Sequence, residues 1–419
     1  LTRIRPFRAY RYTSQAGHPA HLVTQPYDKI TPEMQARYLA LSPYNLVRII
    51  LGARNPGDSA ADNAYTRAAG YWRAWRQQGL VAPDAEAAFY PYFQEFRHPD
   101  TGEHLTRKGF IGLGPVEDYS AGIVFRHEQT LSGPKRDRLE LLRHTRAHFE
   151  LIFLLYSDPE GVIDALLEEA ASAAPLIEVT DEYQAVHRLW RLSEPAAIAE
   201  IERRMASSKL LIADGHHRYE TALQFRREHP ELEAARWVMA AFVNMHSPGL
   251  RILATHRLLR GLADRAGRRL LEAARSRFRV ERLGSLADLS GRWAARAPEQ
   301  VRIGVALRDP QELYLIEADR AAGRLDVTFL HEELLERMLG IGEEDVREER
   351  FVTYVRGLEA AVEEVRSGGA EIAFLLEPVT VEQVAAVAFA GGVMPQKSTD
   401  FYPKLLSGLT IYSLEETAP

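Results

Sequence analysis

The chain has 419 residues, 46% of them hydrophobic and 26% charged, with a formal net charge of −6. That length supports two or three domains with full cores, and the acidic balance gives no global basic field for DNA or an anionic membrane. With no cysteine in the chain, disulfides, thiolate zinc sites, iron–sulfur clusters and cysteine nucleophiles are all excluded.

Arg3, Arg5, Arg8 and Arg11 open the chain with no apolar run behind them, so no secretory signal is expected. No later run reaches the ~20 apolar residues that span a bilayer. A cytoplasmic protein with no membrane partner and no nucleic-acid partner is expected. The turns Gln25-Pro26-Tyr27-Asp28 and Ser42-Pro43-Tyr44-Asn45 set polar groups beside rigid prolines, and structure alone accounts for them. Helical spacing predicts helices at 32–41, 60–77, 135–148, 195–206, 217–228, 264–278, 331–339, 353–367 and 381–389. Short β-branched and aromatic runs predict strands at 46–51, 88–96, 109–114, 151–156, 210–213, 237–243, 301–307, 313–318 and 372–376. The alternation gives an α/β fold, with α+β as the variant.

Three constellations carry chemistry. In the first, the strand at 210–213 runs into Asp214-Gly215-His216-His217-Arg218, and a helix follows. A glycine turn into a helix aims backbone N–H groups at one point, at the positive end of the helix dipole, where a phosphate is favoured. The alternatives are an Asp214 cap with exposed first-turn histidines, or a metal site. Adjacent histidines splay apart on a helix, which disfavours a shared ion.

The second is Arg126-His127-Glu128-Gln129-Thr130, followed by Lys135-Arg136-Asp137-Arg138. Glu128 at this junction could accept a proton or hold Mg²⁺, or it could cap a charged loop. The third is residues 391–404, which nearly match a phosphate-binding P-loop. Gln396 stands where glycine is required and Pro395 removes an N–H, so that reading is rejected. Lys397, Ser398 and Thr399 could still hold a carboxylate or phosphate. The chain has only six lysines, Lys29, Lys108, Lys135, Lys209, Lys397 and Lys404, and among them Lys397 is favoured for a functional role.

The turn resembles the phosphate-binding motif of the ParB/sulfiredoxin superfamily. Sulfiredoxins carry Gly-Cys-His-Arg where this chain has Gly215-His216-His217-Arg218, so the catalytic cysteine is replaced by His216 and sulfinic-acid reduction is excluded. The Asp-Gly-His-His-Arg form resembles archaeal free-serine kinases, as do His127-Glu128-Gln129 and the late Gln396-Lys397-Ser398-Thr399 loop. Over its whole length the chain resembles domain-of-unknown-function family 1015, through Arg5-Pro6-Phe7-Arg8, Pro26-Tyr27-Asp28 and residues 213–220 and 394–408.

The resemblance implies a ParB/sulfiredoxin-like core with additional N-terminal and inserted α/β segments. The expected division is 1–119, a core at 120–250 with an insertion near 158–206, a further α/β segment at 251–369, and 370–419 completing the site. The implied activity is a small-molecule kinase, transferring phosphoryl from ATP or ADP to the hydroxyl of a free amino acid, with L-serine first. Glu128 and Asp214 are the catalytic candidates, with Glu128 favoured as base. Gly215, His216, His217 and Arg218 would hold the nucleotide's phosphates. Lys397, Ser398 and Thr399 would hold the acceptor, and Mg²⁺ would bind through phosphate oxygens, with Asp214 or Glu128 as further candidates. The alternatives are a nucleotide-dependent regulator or DNA-binding switch of ParB type, and a metal-dependent hydrolase using His216, His217, Asp214 and Glu128.

Overall fold

The computed structural model describes residues 1–128, 130, 132–263, 265–295, 297–321 and 323–415. Gln129 of the expected His-Glu-Gln segment and Asp264, the first residue of one expected helix, lie outside them. The fold belongs to the mixed α/β class, as the alternation implies. Contacts divide the chain into two compact units. The first holds residues 1–126, 130–250 and 403 onward; the second holds His127 and Glu128 with Arg251–Tyr402.

The first unit is built on an eight-stranded mixed sheet. Its spatial order is Val124–Phe125, Leu210–Asp214, Ile152–Tyr156, Trp237–Asn244, His104–Pro115, Tyr90–Arg97, Val186–Leu189 and Ile177–Thr180. Leu210–Asp214 runs parallel to Val124–Phe125 and antiparallel to Ile152–Tyr156. Trp237–Asn244 is buried at every position, as a strand covered on both faces must be. It pairs with His104–Pro115 so closely that a Cβ on Gly109 would stand 2.5 Å from the Phe242 carbonyl oxygen.

Ile163 and Leu167, Ile201 and Met205, and Tyr219, Ala222 and Leu223 bring three helices onto one apolar core with Leu154, Ile212 and Phe242. A second core gathers Trp72 and Trp75 against Tyr10, Ile49, Phe149 and Ile411. The two tryptophans share a face of helix Ala64–Gln77, which Asn63 starts by accepting from Tyr65 N and Thr66 N.

The second unit has a six-stranded antiparallel sheet. Its order is Arg279–Leu283, Glu312–Asp319, Gln300–Leu307, Ile372–Leu375, His256–Leu259 and Val352–Val355. Leu289, Val362 and Val365 from two helices close its core over Leu258, Leu315 and Leu375.

Two local expectations are corrected. The expected strand at 46–51 contains instead the short helix Val47–Ile50, because the Asn45 side chain accepts from Val47 N at 2.9 Å. Periodicity cannot separate strand from helix in so short an apolar run. The expected helix at 353–367 is the strand Val352–Val355, then helix Leu358–Arg366 after Gly357 at φ +82°. The β-branched start joins the sheet, and the left-handed glycine breaks the run.

Candidate functional site

In the first unit, strand Leu210–Asp214 delivers the turn. Its apolar residues are buried, and its pairing with Ile152–Tyr156 shifts register between Ile212 and Asp214. Gly215 follows at φ +92°, and helix His216–Glu228 begins at once. A Cβ here would be strained by the backbone and would stand 3.2 Å from the Arg218 guanidinium. Glycine also brings no side chain of its own to the N–H groups of the first helical turn, which leaves the capping position compact.

Asp214 is the electrostatic centre of this turn. One oxygen, Oδ1, accepts from Gly215 N at 2.7 Å, and Arg218 Nη2 lies 3.7 Å from it. The other, Oδ2, accepts from Lys404 Nζ at 3.0 Å. Burial pushes the Asp214 acidity down, but the positive charges of Lys404, Arg218 and Lys29 outweigh it and hold the carboxyl well below the usual range. Asp214 is therefore a firmly ionised carboxylate at neutral pH.

Arg218 is itself clamped. Its Nη1 donates to the Leu151 carbonyl, and Glu150, Asp214, Asp28 and Tyr27 keep it charged against the cost of burial. Glu150 accepts from Tyr27 N at 2.9 Å and from Arg138 Nη1 at 3.3 Å, and the Arg138 guanidinium lies 4.0 Å above the Tyr27 ring. The turn Gln25-Pro26-Tyr27-Asp28, read from sequence as purely structural, also brings Asp28 and Tyr27 to bear on Arg218, and the adjoining Lys29 on Asp214. His216 is buried. Burial also lowers the basicity of half-buried His217, so its imidazole is neutral at pH 7. Three positions further, Glu220 accepts from Thr130 Oγ1 at 2.6 Å and Lys135 Nζ at 3.0 Å.

The second unit carries the remaining candidates. Glu128 forms a parallel bridge with Met394, and Met394 N donates to the His127 carbonyl at 2.7 Å. His127 Nε2 lies 2.8 Å from Thr399 Oγ1. The Ser398 hydroxyl donates to the Pro395 carbonyl at 2.5 Å. Lys397 adopts φ +56°, and its exposed side chain makes no ion pair among the described residues. Buried Arg257 braces this segment, donating to the carbonyls of Gln396 at 3.3 Å and Lys397 at 3.2 Å. Burial lowers its pKa to about 10, against the opposing pull of Tyr354 and Glu128.

The structure therefore gathers Asp214, Gly215, His216, His217 and Arg218 in the first unit, and Glu128, Lys397, Ser398 and Thr399 in the second. Sequence reasoning missed Lys404 and Glu150 beside the turn, and Arg257 beneath the late loop. The scarcity of lysine was the signal for Lys404, but weight fell on Lys397. Among the described residues no group of three or more His, Asp or Glu could hold a metal ion, and no helix is long and apolar enough to cross a membrane.

No curated protein matches the sequence. Solved structures similar to the chain include a conserved hypothetical protein from Pyrococcus furiosus, 14% identical over 70% of this chain and 92% of that one, with a TM-score of 0.37. They also include a free serine kinase in complex with AMP, at 14% identity, 70% and 89% coverage and a TM-score of 0.39. SbnI from Staphylococcus aureus, with a C-terminal truncation, is 12% identical over 73% of this chain and 89% of that one, with a TM-score of 0.36. A family model matches residues 4–328, and the chain belongs to that family, described as protein of unknown function (DUF1015).

Proposed function

We propose that the chain is a phosphotransferase that moves a phosphoryl group from ATP or ADP to the hydroxyl of a free amino acid, L-serine first. The observation that carries this reading is the turn at Asp214. A left-handed Gly215 opens helix His216–Glu228 beside an ionised carboxylate flanked by Lys404 and Arg218. Backbone N–H groups at a helix start, with fixed cations beside them, suit the phosphates of a nucleotide.

The roles divide by chemistry. The N–H groups of His216 and His217, with Arg218, bind the phosphates, while the Gly215 N–H is held by Asp214 Oδ1. Asp214 and Glu128 serve the acceptor hydroxyl, and Glu128 takes its proton. Lys397 holds the acceptor's carboxylate, with Ser398 and Thr399 shaping its loop. Mg²⁺ bound through phosphate oxygens would supply further charge neutralisation. Both Asp214 oxygens already face N–H donors, one of them an ammonium, which argues against Asp214 as a direct metal ligand. Positioning and charge neutralisation are what phosphoryl transfer mainly requires.

The test is product analysis. Purified protein with Mg²⁺, ATP or ADP and a panel of hydroxy amino acids should yield phosphoserine from serine. Thermal stabilisation should be greatest with nucleotide and acceptor together. Nucleotide binding without any phosphorylated acceptor would favour a nucleotide-dependent regulator instead. A gel shift with duplex DNA at two salt concentrations would then test the ParB-like form of that role.

A further inference from the structure

The segment around Lys404 is held in an unusual way. Three of its backbone groups are bonded by buried side chains rather than by a strand ladder. Arg107 Nη2 donates to the Pro403 carbonyl at 2.5 Å, Gln94 Nε2 donates to the Lys404 carbonyl at 2.8 Å, and Leu406 N donates to the Tyr92 hydroxyl at 3.1 Å. Tyr92, Gln94 and Arg107 come from the paired strands Tyr90–Arg97 and His104–Pro115, and all three are buried.

These side chains are tied to one another. Gln94 Oε1 accepts from Arg107 Nε at 3.0 Å and also from its Nη2. His187, fully buried, sets Nδ1 at 2.7 Å from the Tyr92 hydroxyl and 3.3 Å from Gln94 Nε2. Its Nε2 lies 2.9 Å from Asp181 Oδ2, which also accepts from Gln25 Nε2 at 3.2 Å. Burial keeps the His187 ring neutral despite Asp181. The assignment that fits is a proton on Nε2 for Asp181, with Nδ1 accepting from Tyr92.

We infer that Asp181, His187, Tyr92, Gln94 and Arg107 form a buried positioning relay that fixes Lys404 against Asp214. Satisfying three backbone groups does not require a fully buried guanidinium, which is costly to desolvate. A linked set of buried polar groups does narrow where a side chain can sit. Lys404 Nζ donates to Asp214 Oδ2 at 3.0 Å, which sets its ammonium beside the turn. What Lys404 then binds rests on the phosphotransfer reading; how it is held does not.

The test uses the six lysines of the chain. In protein labelled with ¹⁵N-lysine, Lys404→Arg identifies the Lys404 Nζ resonance. Two conservative variants follow. Gln94→Glu keeps an acceptor for Arg107 but loses the donor to the Lys404 carbonyl. Tyr92→Phe loses the hydroxyl that receives Leu406 N. The relay predicts that the Lys404 resonance moves in both variants, while those of Lys108 and Lys209 stay in place. An unmoved Lys404 resonance in either variant, with the fold intact by circular dichroism, overturns the relay. ADP titration of the same samples judges the other reading separately. A loss of affinity of about tenfold is expected if Lys404 meets phosphate. A moved resonance with unchanged ADP affinity supports the relay and counts against nucleotide binding at the turn.

Discussion

The Asp214 turn and the Met394–Thr399 loop are fixed by opposite means. At the turn, charge holds charge: Asp214 sits between Lys404, Arg218 and a backbone N–H, and Arg218 sits among carboxylates. In the loop, neutral groups do the holding: Met394 N on the His127 carbonyl, the Ser398 hydroxyl on Pro395, and Thr399 against His127. Buried Arg257 there donates to carbonyls. On the proposed reading, the first arrangement would keep fixed ionic partners in place for an anion before it arrives, as electrostatic preorganisation demands. The second fixes a backbone and leaves the Lys397 ammonium exposed, as the proposed acceptor-binding role would need.

The difference can be broken at the turn first. Asp214→Asn should lower phosphoserine formation by about a hundredfold or more, with the native circular dichroism spectrum kept, as steady-state kinetics would measure. It should also loosen Lys404, because the ammonium loses its carboxylate. Glu128→Gln should cost turnover on a similar or smaller scale, about a hundredfold, yet leave the nucleotide-induced rise in melting temperature unchanged. Equal losses of nucleotide stabilisation in both variants would erase the contrast between the regions.

Smaller effects sharpen it. Gly215→Ala should destabilise the protein by roughly 1–2 kcal/mol in urea titrations, through strain at a left-handed residue. It should also weaken ADP binding, because the added methyl presses on Arg218. In the second unit, burial, with help from Arg257, lowers the His256 pKa to about 4. The unfolded chain then takes up a proton below about pH 6.5 that the folded state refuses, so stability falls as pH drops from there toward about 4. His256→Gln, which keeps an acceptor for Leu376 N, should flatten that decline by on the order of 1–2 kcal/mol between pH 7 and 5.

The strands of the sheet interior were legible because their apolar runs are continuous, as at Trp237–Asn244 and Leu210–Asp214. The hairpin Ile177–Thr180 and Val186–Leu189 was not, since it is short, half-exposed and charged, and a polar turn at Asp181 sets it. Asp181 N–H acceptance has no apolar signature to read. At the site, the turn was visible because its residues are consecutive. Lys404 lies 190 positions from Asp214, and no local pattern announces a pair formed across that distance. Arg107, Gln94 and His187 were invisible for the same reason, and each reads locally as an ordinary polar residue on a strand.

The return of the chain to the first unit has a consequence for biosynthesis. Thr24 exchanges backbone bonds with Ser407, Tyr10 does so with Ile411, and Ile411 joins the tryptophan core. A nascent polypeptide emerging from the ribosome therefore cannot seal its first unit until all of 251–402 has been made. The early segment must wait with that core unroofed and its apolar side chains uncovered while synthesis continues.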